Sequence, residues 1–401
     1  MSQVPDGVMY AQVEQARAVQ DYEPSRSCVR LIGVDTDSFR TEAFNSGDGC
    51  RTYFVDIAWD TLLATMGAAA GSFQGWPWAG WPQLLVDDWP DTLWVVLTYS
   101  RASEFSGVYA YEIFADANPT YLALKSVSFV TGPSVSAAPA STQVPTVPSS
   151  QTFTLYAYHV GQGMCALLKG QTDGFLLDVG AGKPITRAAY RTHGTSFVNE
   201  LLPAIKGLSL QVVISHPDSD HWRLLDWDSS LCANVTAVYQ PSRTAALAFK
   251  SPLIKPRVHA LGSTRVTNGP GGATLFKAHR SQPKVSDRNG ECLVVETHCG
   301  GRGLFPGDYV YDRMATDGDP AIKALATSAF DAVMVPHHGD TASASVLVSP
   351  TRPSSTPAFF SAGTHAGYGH PTSASLIAHK AVHFANIDNH TCTDIIEQRL
   401  P

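Results

Sequence analysis

Apolar and polar positions fall into two rhythms separated by a stretch that has neither. Residues 132–150 are rich in Ser, Pro, Ala, Thr and Val, carry no charged residue and show no helical spacing. That composition predicts an extended linker. Ahead of it, residues 1–131 show a helix-like stretch over 10–19, apolar runs at 29–34 and 93–99, a helix over 57–70, and strand-like alternation at 108–114 and 121–130. These predict a small α+β domain. Beyond the linker, residues 151–401 change to short strands punctuated by turns, at 153–158, 165–168, 174–177 and 210–214, with a helix over 188–202. Further strands are predicted at 237–239, 273–276, 291–296, 303–305, 332–335 and 358–361, with helices at 321–329 and 373–382. Strands first in meanders and later alternating with helices predict a sheet-on-sheet core covered by helices.

The chain has 401 residues, enough for two domains, and its 44% hydrophobic content suits a globular protein. A formal charge of −7 argues against a surface built for indiscriminate nucleic-acid binding, though it leaves room for a local basic channel. No apolar run reaches the roughly 18 residues of a membrane span, and residues 1–7 lack the basic start and apolar region of a signal peptide. A cytoplasmic protein with no membrane partner is expected. Seven scattered cysteines without a C-x-x-C pair fit reduced thiols, and Cys292 and Cys299 fit packing better than metal ligation. Trp76, Trp78, Trp81 and Trp89 crowd one Pro- and Gly-containing stretch. Exposed, they could stack on bases or sugar rings; buried, they form an aromatic core under an irregular loop.

The chemistry concentrates at strand ends. Ser215-His216-Pro217-Asp218-Ser219-Asp220-His221 follows a buried strand and places two histidines and two aspartates in one turn. Imidazole nitrogens and carboxylate oxygens suit zinc, manganese or iron. Four more strand ends carry Asp or His beside Gly: Asp178 before Gly180, Asp308 after Gly307, His337-His338-Gly339, and Gly369-His370. Five ligand-bearing strand ends in one domain predict a convergent site.

This order resembles the metallo-β-lactamase hydrolase superfamily over residues 153–385, which implies an αββα four-layer sandwich with one or two divalent metal ions, zinc or manganese. The family signature H-x-H-x-D-H has Asp218 in place of its second histidine. In that respect the chain resembles the soluble hydrolase-like domain of the bacterial competence protein ComEC. Ser215 to His221 matches its S-H-x-D-x-D-H, and His159-Val160-Gly161-Gln162-Gly163 looks like its D-V-G-Q-G-D opening, with His159 and Met164 replacing two acids. Asn289-Gly290-Glu291-Cys292-Leu293-Val294-Val295, Pro336-His337-His338-Gly339 and the run from Gly363 to Pro371 resemble further motifs of that branch. The first 150 residues lie outside the resemblance, and the ComEC membrane channel has no counterpart.

Carried over residue by residue, the resemblance implies His216 and Asp218 on a first metal, Asp220, His221 and His370 on a second, and Asp308 bridging. Asp220 would also orient the attacking water, Asp178 would orient a ligand histidine, and His337 or His338 would meet charge in the transition state. One of that pair is expected to face the metals and the other to anchor the turn. The third histidine of the first site has no clear match; His279 falls in the right interval. A phosphodiesterase or nuclease acting on DNA or another nucleotide is implied. An ester, lactone or thioester hydrolase stays open, as does a partly degenerate regulatory module whose amino-terminal segment binds a protein partner.

Overall fold

The thirteen residues Gly7–Val19 form the first strand, β1, with Met9, Ala11 and Val13 buried on alternate positions. This corrects the helix expected over 10–19. Register shifts against the next strand at Gln15 break the two-residue rhythm and bring helix-favouring Ala, Gln and Glu into a spacing that imitates a helix. The computed structural model describes residue 4 and residues 7–47, 49–69, 90–147, 152–192, 197–267, 271–279 and 288–401. The tryptophan group at 76–89 lies outside the described residues.

With β2 (Ser27–Asp35), β3 (Tyr53–Ala58), β4 (Leu93–Arg101), β5 (Val108–Glu112) and β6 (Thr120–Thr131), β1 closes a six-stranded barrel in the order β1-β2-β3-β5-β6-β4. Every pairing is antiparallel. The amino-terminal segment, expected as a small α+β domain, is a small barrel carrying helices at Thr36–Arg40 and Trp59–Ala69. Closure pairs every strand edge. Val29, Leu31, Val55 and Ile57 fill the interior. Ile32, Val34 and Phe54 point the other way and are buried too, because that face packs on the rest of the protein.

The remaining strands form two seven-stranded sheets and a two-stranded parallel pair, Ala329–Phe330 with Ser349–Pro350. The first contains β7 (Thr154–His159), β8 (Cys165–Lys169), β9 (Asp173–Val179), β10 (Ser209–Val213), β11 (Val235–Pro241) and β12 (Val258–Leu261), edged on the β7 side by the last strand, Ile396–Arg399. The second runs β13 (Arg265–Val266), β14 (Ala273–Lys277), β15 (Leu293–His298), β16 (Arg302–Phe305), then Ala332–Met334, Pro357–Phe360 and Ala385–Asp388. Each sheet is antiparallel on one side and parallel on the other.

Leu155, Ala166 and Leu177 of the first sheet share one apolar cluster with Leu275, Val295, Phe305 and Met334 of the second, so the sheets face each other across a common core. Outside the second sheet, Leu304, Val333 and Phe360 pack on Tyr311, Met314 and Ile322 from helices Tyr311–Thr316 and Pro320–Ala326. Outside the first lie short helices and the barrel. Residues 188–202 do not form the single helix expected: helices Arg187–Thr192 and Leu201–Ile205 stand separately, the second containing Pro203.

The barrel is anchored by stacking and by buried charge. Phe54 stacks on Trp222 with centroids 5.4 Å apart and planes 10° from parallel, and Trp222 Nε1–H donates to the Pro217 carbonyl at 2.8 Å. Arg30, 1% exposed, pairs with Asp56 at 2.7 Å and with Asp21 at 3.2 Å, while Asp21 also pairs with Arg223, just after the histidine-aspartate turn. The segment after the barrel is pinned along its length: Ser141 N–H donates to the Ala260 carbonyl at 2.7 Å, and Gln211 Nε2 to the Thr146 carbonyl at 2.7 Å. No described helix is long and apolar enough to cross a membrane, and all seven cysteines are unpaired.

Candidate metal centre

Every polar group singled out at a strand end lies on the parallel side of its sheet, where carboxyl ends of neighbouring strands open to one edge. Strands β9 and β10 run side by side with Leu177 opposite Val213, so Asp178 and Ser215 leave the sheet together. Ser215 donates to Asp178 twice, from its N–H at 2.7 Å and its hydroxyl at 2.8 Å. His221 Nδ1 lies 2.8 Å from the same carboxylate, which fixes the ring with Nε2 turned inward. The turn then passes very close to the backbone at Gly180, where a Cβ would sit 1.6 Å from the Asp220 carbonyl oxygen. From the second sheet, β16 delivers Asp308 through Gly307 (φ 59°), whose missing side chain leaves room for Ser215. His337 N–H donates to the Gly307 carbonyl at 3.1 Å, locking the Pro336–Gly339 turn onto the Asp308 loop.

Asp308 stands between two sets of donors. Its Oδ2 lies 3.6 Å from His216 Nε2 and 3.5 Å from His337 Nε2. Its Oδ1 lies 3.3 Å from His221 Nε2 and 3.7 Å from His338 Nε2. Asp218 joins the first side, with Oδ2 3.2 Å from His216 Nε2; Asp220 joins the second, with Oδ2 3.5 Å from His338 Nε2. Two three-donor groups, His216–His221–Asp308 and Asp220–His221–His338, have all their ligand atoms within 4.8 Å of one another.

The Nε2 atoms of His216, His221 and His338 and Asp308 Oδ1 are buried without any hydrogen-bond partner. Four such atoms converging at one place would be costly in a structural network, because only charge contacts at 3.2–3.7 Å offset their lost hydration. A pair of divalent cations fits them, and the mixture of imidazole and carboxylate is a donor set for zinc or manganese.

The electrostatics agree with a site short of positive charge. Burial alone would raise the Asp308 carboxyl, yet the surrounding His337, His221, His216 and His338 hold it well below the usual carboxylate range. Burial would depress His221, but Asp178 and Asp308 more than offset it and raise it well above the ordinary histidine value. His337, opposed by burial and supported by Asp308 and Asp340, is pushed up to about 9. These carboxylates favour protons on His221 and His337, charge that a bound cation would replace.

His216, Asp218, Asp220, His221 and Asp308 are thus brought together, with Asp178 behind His221. His337 and His338 both face the centre, one on each side of Asp308, rather than dividing into a facing residue and an anchor. They diverge because consecutive residues both adopt left-handed backbone angles, φ 50° and 54°. His338 is fixed from behind by its Nδ1, 2.7 Å from the Ser361 carbonyl. His370 stands outside both donor groups, its ring 6.2 Å from that of His338 and 5.7 Å from that of His337. Burial, then the neighbouring His338 and His337, lower it to about 4, so it stays neutral. His279 is in neither donor group, and its backbone is held by the Asp317 carboxylate, which accepts its N–H at 3.0 Å, and by the Gly318 N–H. His159 packs its ring against Phe359, 4.5 Å between centroids.

Two residues absent from the sequence reading reach the site. Glu14 on β1 accepts from the Ser219 N–H at 2.8 Å, and Arg288 Nη1 donates to both Glu14 and Asp218, at 2.9 and 3.0 Å. Arg288 adjoins the Asn289-Gly290-Glu291 motif, which was the only available signal; nothing marked Glu14.

No protein-family model matches the chain, and no curated protein matches it. Among solved structures, the metallo-β-lactamase fold protein YhfI from Bacillus subtilis is similar at 12% identity and a TM-score of 0.37, covering 61% of this chain and 99% of its own. A protein of unknown function from Enterococcus faecalis is similar at 13% identity and a TM-score of 0.29, over 45% of this chain and 49% of its own.

Proposed function

We propose that this chain is a metal-dependent hydrolase of the metallo-β-lactamase type and that it cleaves phosphodiesters in DNA or another nucleotide. The observation that carries the metal-dependent reading is the Asp308 carboxylate, with one oxygen toward His216 and His337 and the other toward His221 and His338, three of these imidazoles ending in unpartnered nitrogens. His216, Asp218 and His337 would hold one ion, Asp220, His221 and His338 the other, and Asp308 both. Divalent ions held there supply Lewis acidity and a nucleophile at neutral pH. Asp220 orients the attacking water, and neutral His370, half-buried beside the centre with Nδ1 unpartnered, is placed to donate toward charge developing on substrate. The phosphodiester assignment is supported by the sequence resemblance to the ComEC branch.

The test is a zinc- or manganese-supplemented assay with single-stranded and duplex DNA, cyclic dinucleotides and bis(p-nitrophenyl) phosphate, run beside an Asp220→Ala/His221→Ala double variant. Phosphodiester turnover abolished in the variant supports the reading, and turnover unchanged in it sinks the mechanism. Cleavage of lactone or thioester probes alone would transfer the site to ester chemistry. Metal binding with no turnover on any probe would make it a regulatory module.

A further inference from the structure

We infer that the two ion positions differ in affinity by design of the barrel: Arg288 weakens the position built on Asp218, and Glu14 limits how far. The inference rests on the two-ion reading above. Asp218 offers its two oxygens in opposite directions. Oδ2 faces His216 Nε2 at 3.2 Å, on the side of the metal centre, whereas Oδ1 accepts from Arg288 Nη1 at 3.0 Å. A cation bound at Oδ2 therefore shares its carboxylate with a guanidinium that repels it. Among the described residues no guanidinium pairs with Asp220: its partner there is His338, and His221 is backed by the Asp178 carboxylate.

Glu14 acts on Arg288, and it comes from the other folding unit. Its Oε2 takes the same Nη1 hydrogen-bond donor at 2.9 Å, dividing the guanidinium between two acids, and its Oε1 holds the Ser219 N–H at 2.8 Å in the middle of the ligand turn. The Glu14 side chain is only 5% exposed, so its negative charge is little screened, while Arg288 and Asp218 are 29% and 31% exposed. The Asp220 side is more enclosed, with Asp220 and His338 side chains 12% and 2% exposed. Burial and charge rank the positions alike: a tight inner ion on Asp220, His221 and His338, and an exchangeable outer ion on His216, Asp218 and His337.

The opposed signs of the two charges give the test. Zinc binding to the full chain is measured by calorimetry for the wild type, Arg288→Gln, Glu14→Gln and the double variant, with folding checked by circular dichroism. Glutamine at 14 keeps an oxygen for the Ser219 N–H but turns its NH₂ toward Arg288, removing both the charge and the acceptor that divides the guanidinium. Two zinc ions are expected in the wild type, the outer at least about tenfold weaker. Arg288→Gln should tighten the outer ion by about tenfold and Glu14→Gln should weaken it by about tenfold, with the inner ion within about twofold throughout. The double variant, which leaves neither charge unpaired, should fall between them. If both single variants weaken zinc alike, the pair is only a brace for the turn and the inference is overturned; two zinc ions unaffected by either change overturn it as well. A chain that binds no zinc overturns the metal-centre reading itself, and this inference with it.

Discussion

Replacing Asp178 by Asn tests whether His221 is a metal ligand without touching any atom proposed to meet the ion. Asp178 Oδ1 receives the Ser215 N–H, while Oδ2 receives the Ser215 hydroxyl and faces His221 Nδ1. An asparagine keeps its carbonyl oxygen where the Ser215 N–H demands an acceptor, so its NH₂ takes the place of Oδ2. A donor then stands 2.8 Å from His221 Nδ1. The imidazole answers by moving its proton to Nε2, the nitrogen that should carry the ligand lone pair. Loss of such a support behind a ligand histidine costs about 10–100-fold in metal affinity, equivalent to about 1.4–2.7 kcal/mol. Calorimetry with zinc should show that loss for one ion, and ¹⁵N NMR of the imidazole should show the exchanged tautomer. The ion on the His216 side should change little, since His216 Nδ1 contacts the Ser215 hydroxyl at 3.2 Å rather than Asp178. Zinc affinity within twofold of wild type for both ions would refute the assignment of His221.

Three further outcomes follow from the same geometry. Because carboxylates hold His221 well above its ordinary value and His337 at about 9, zinc uptake at pH 7.5 should release about one proton or more per chain; affinity should climb as pH rises toward 9, read from calorimetry in buffers of different ionisation enthalpy. Burial lowers His379 to about 4 against about 6.5 in the unfolded chain, so the unfolded state binds the extra proton between those values. The contribution is whole above pH 6.5 and is lost as pH falls through 4, up to about 3 kcal/mol; urea unfolding of His379→Phe should lose less stability between pH 7.5 and pH 4.5 than wild type does. Trp222→Ala removes a fully buried ring stacked on Phe54 and should cost about 3–5 kcal/mol in urea unfolding, a loss below 1 kcal/mol contradicting the anchoring of the barrel at this point.

The sheet strands and the turn from His216 to His221 were legible because their signals are local: apolar runs of strand length, each ending in Asp or His beside Gly. Strand β1 was not, because a bulge at Gln15 hides its alternation within residues that favour helices. The division of labour in the Pro336-His337-His338-Gly339 turn was not legible either. Side-chain direction there depends on left-handed backbone angles that a motif does not encode, so the sequence pointed to His370 where the geometry offers His338. Glu14 was hidden for another reason: 205 positions of chain separate it from the Ser219 amide it holds, and no spacing rule reaches across two folding units.

The left-handed angles of His337 and His338 restrict what evolution or an engineer could place at these positions. Each angle costs a residue with a Cβ about 1–2 kcal/mol, and two in succession concentrate that strain in one dipeptide. Glycine would relax the backbone but bring no imidazole; asparagine tolerates the angle but is a poor substitute for a nitrogen ligand. On the metal-dependent reading proposed above, the dihistidine keeps two imidazoles in this turn at a cost in backbone strain that glycine would avoid. Libraries scored on stability alone should replace it first, and libraries scored on activity should restore it.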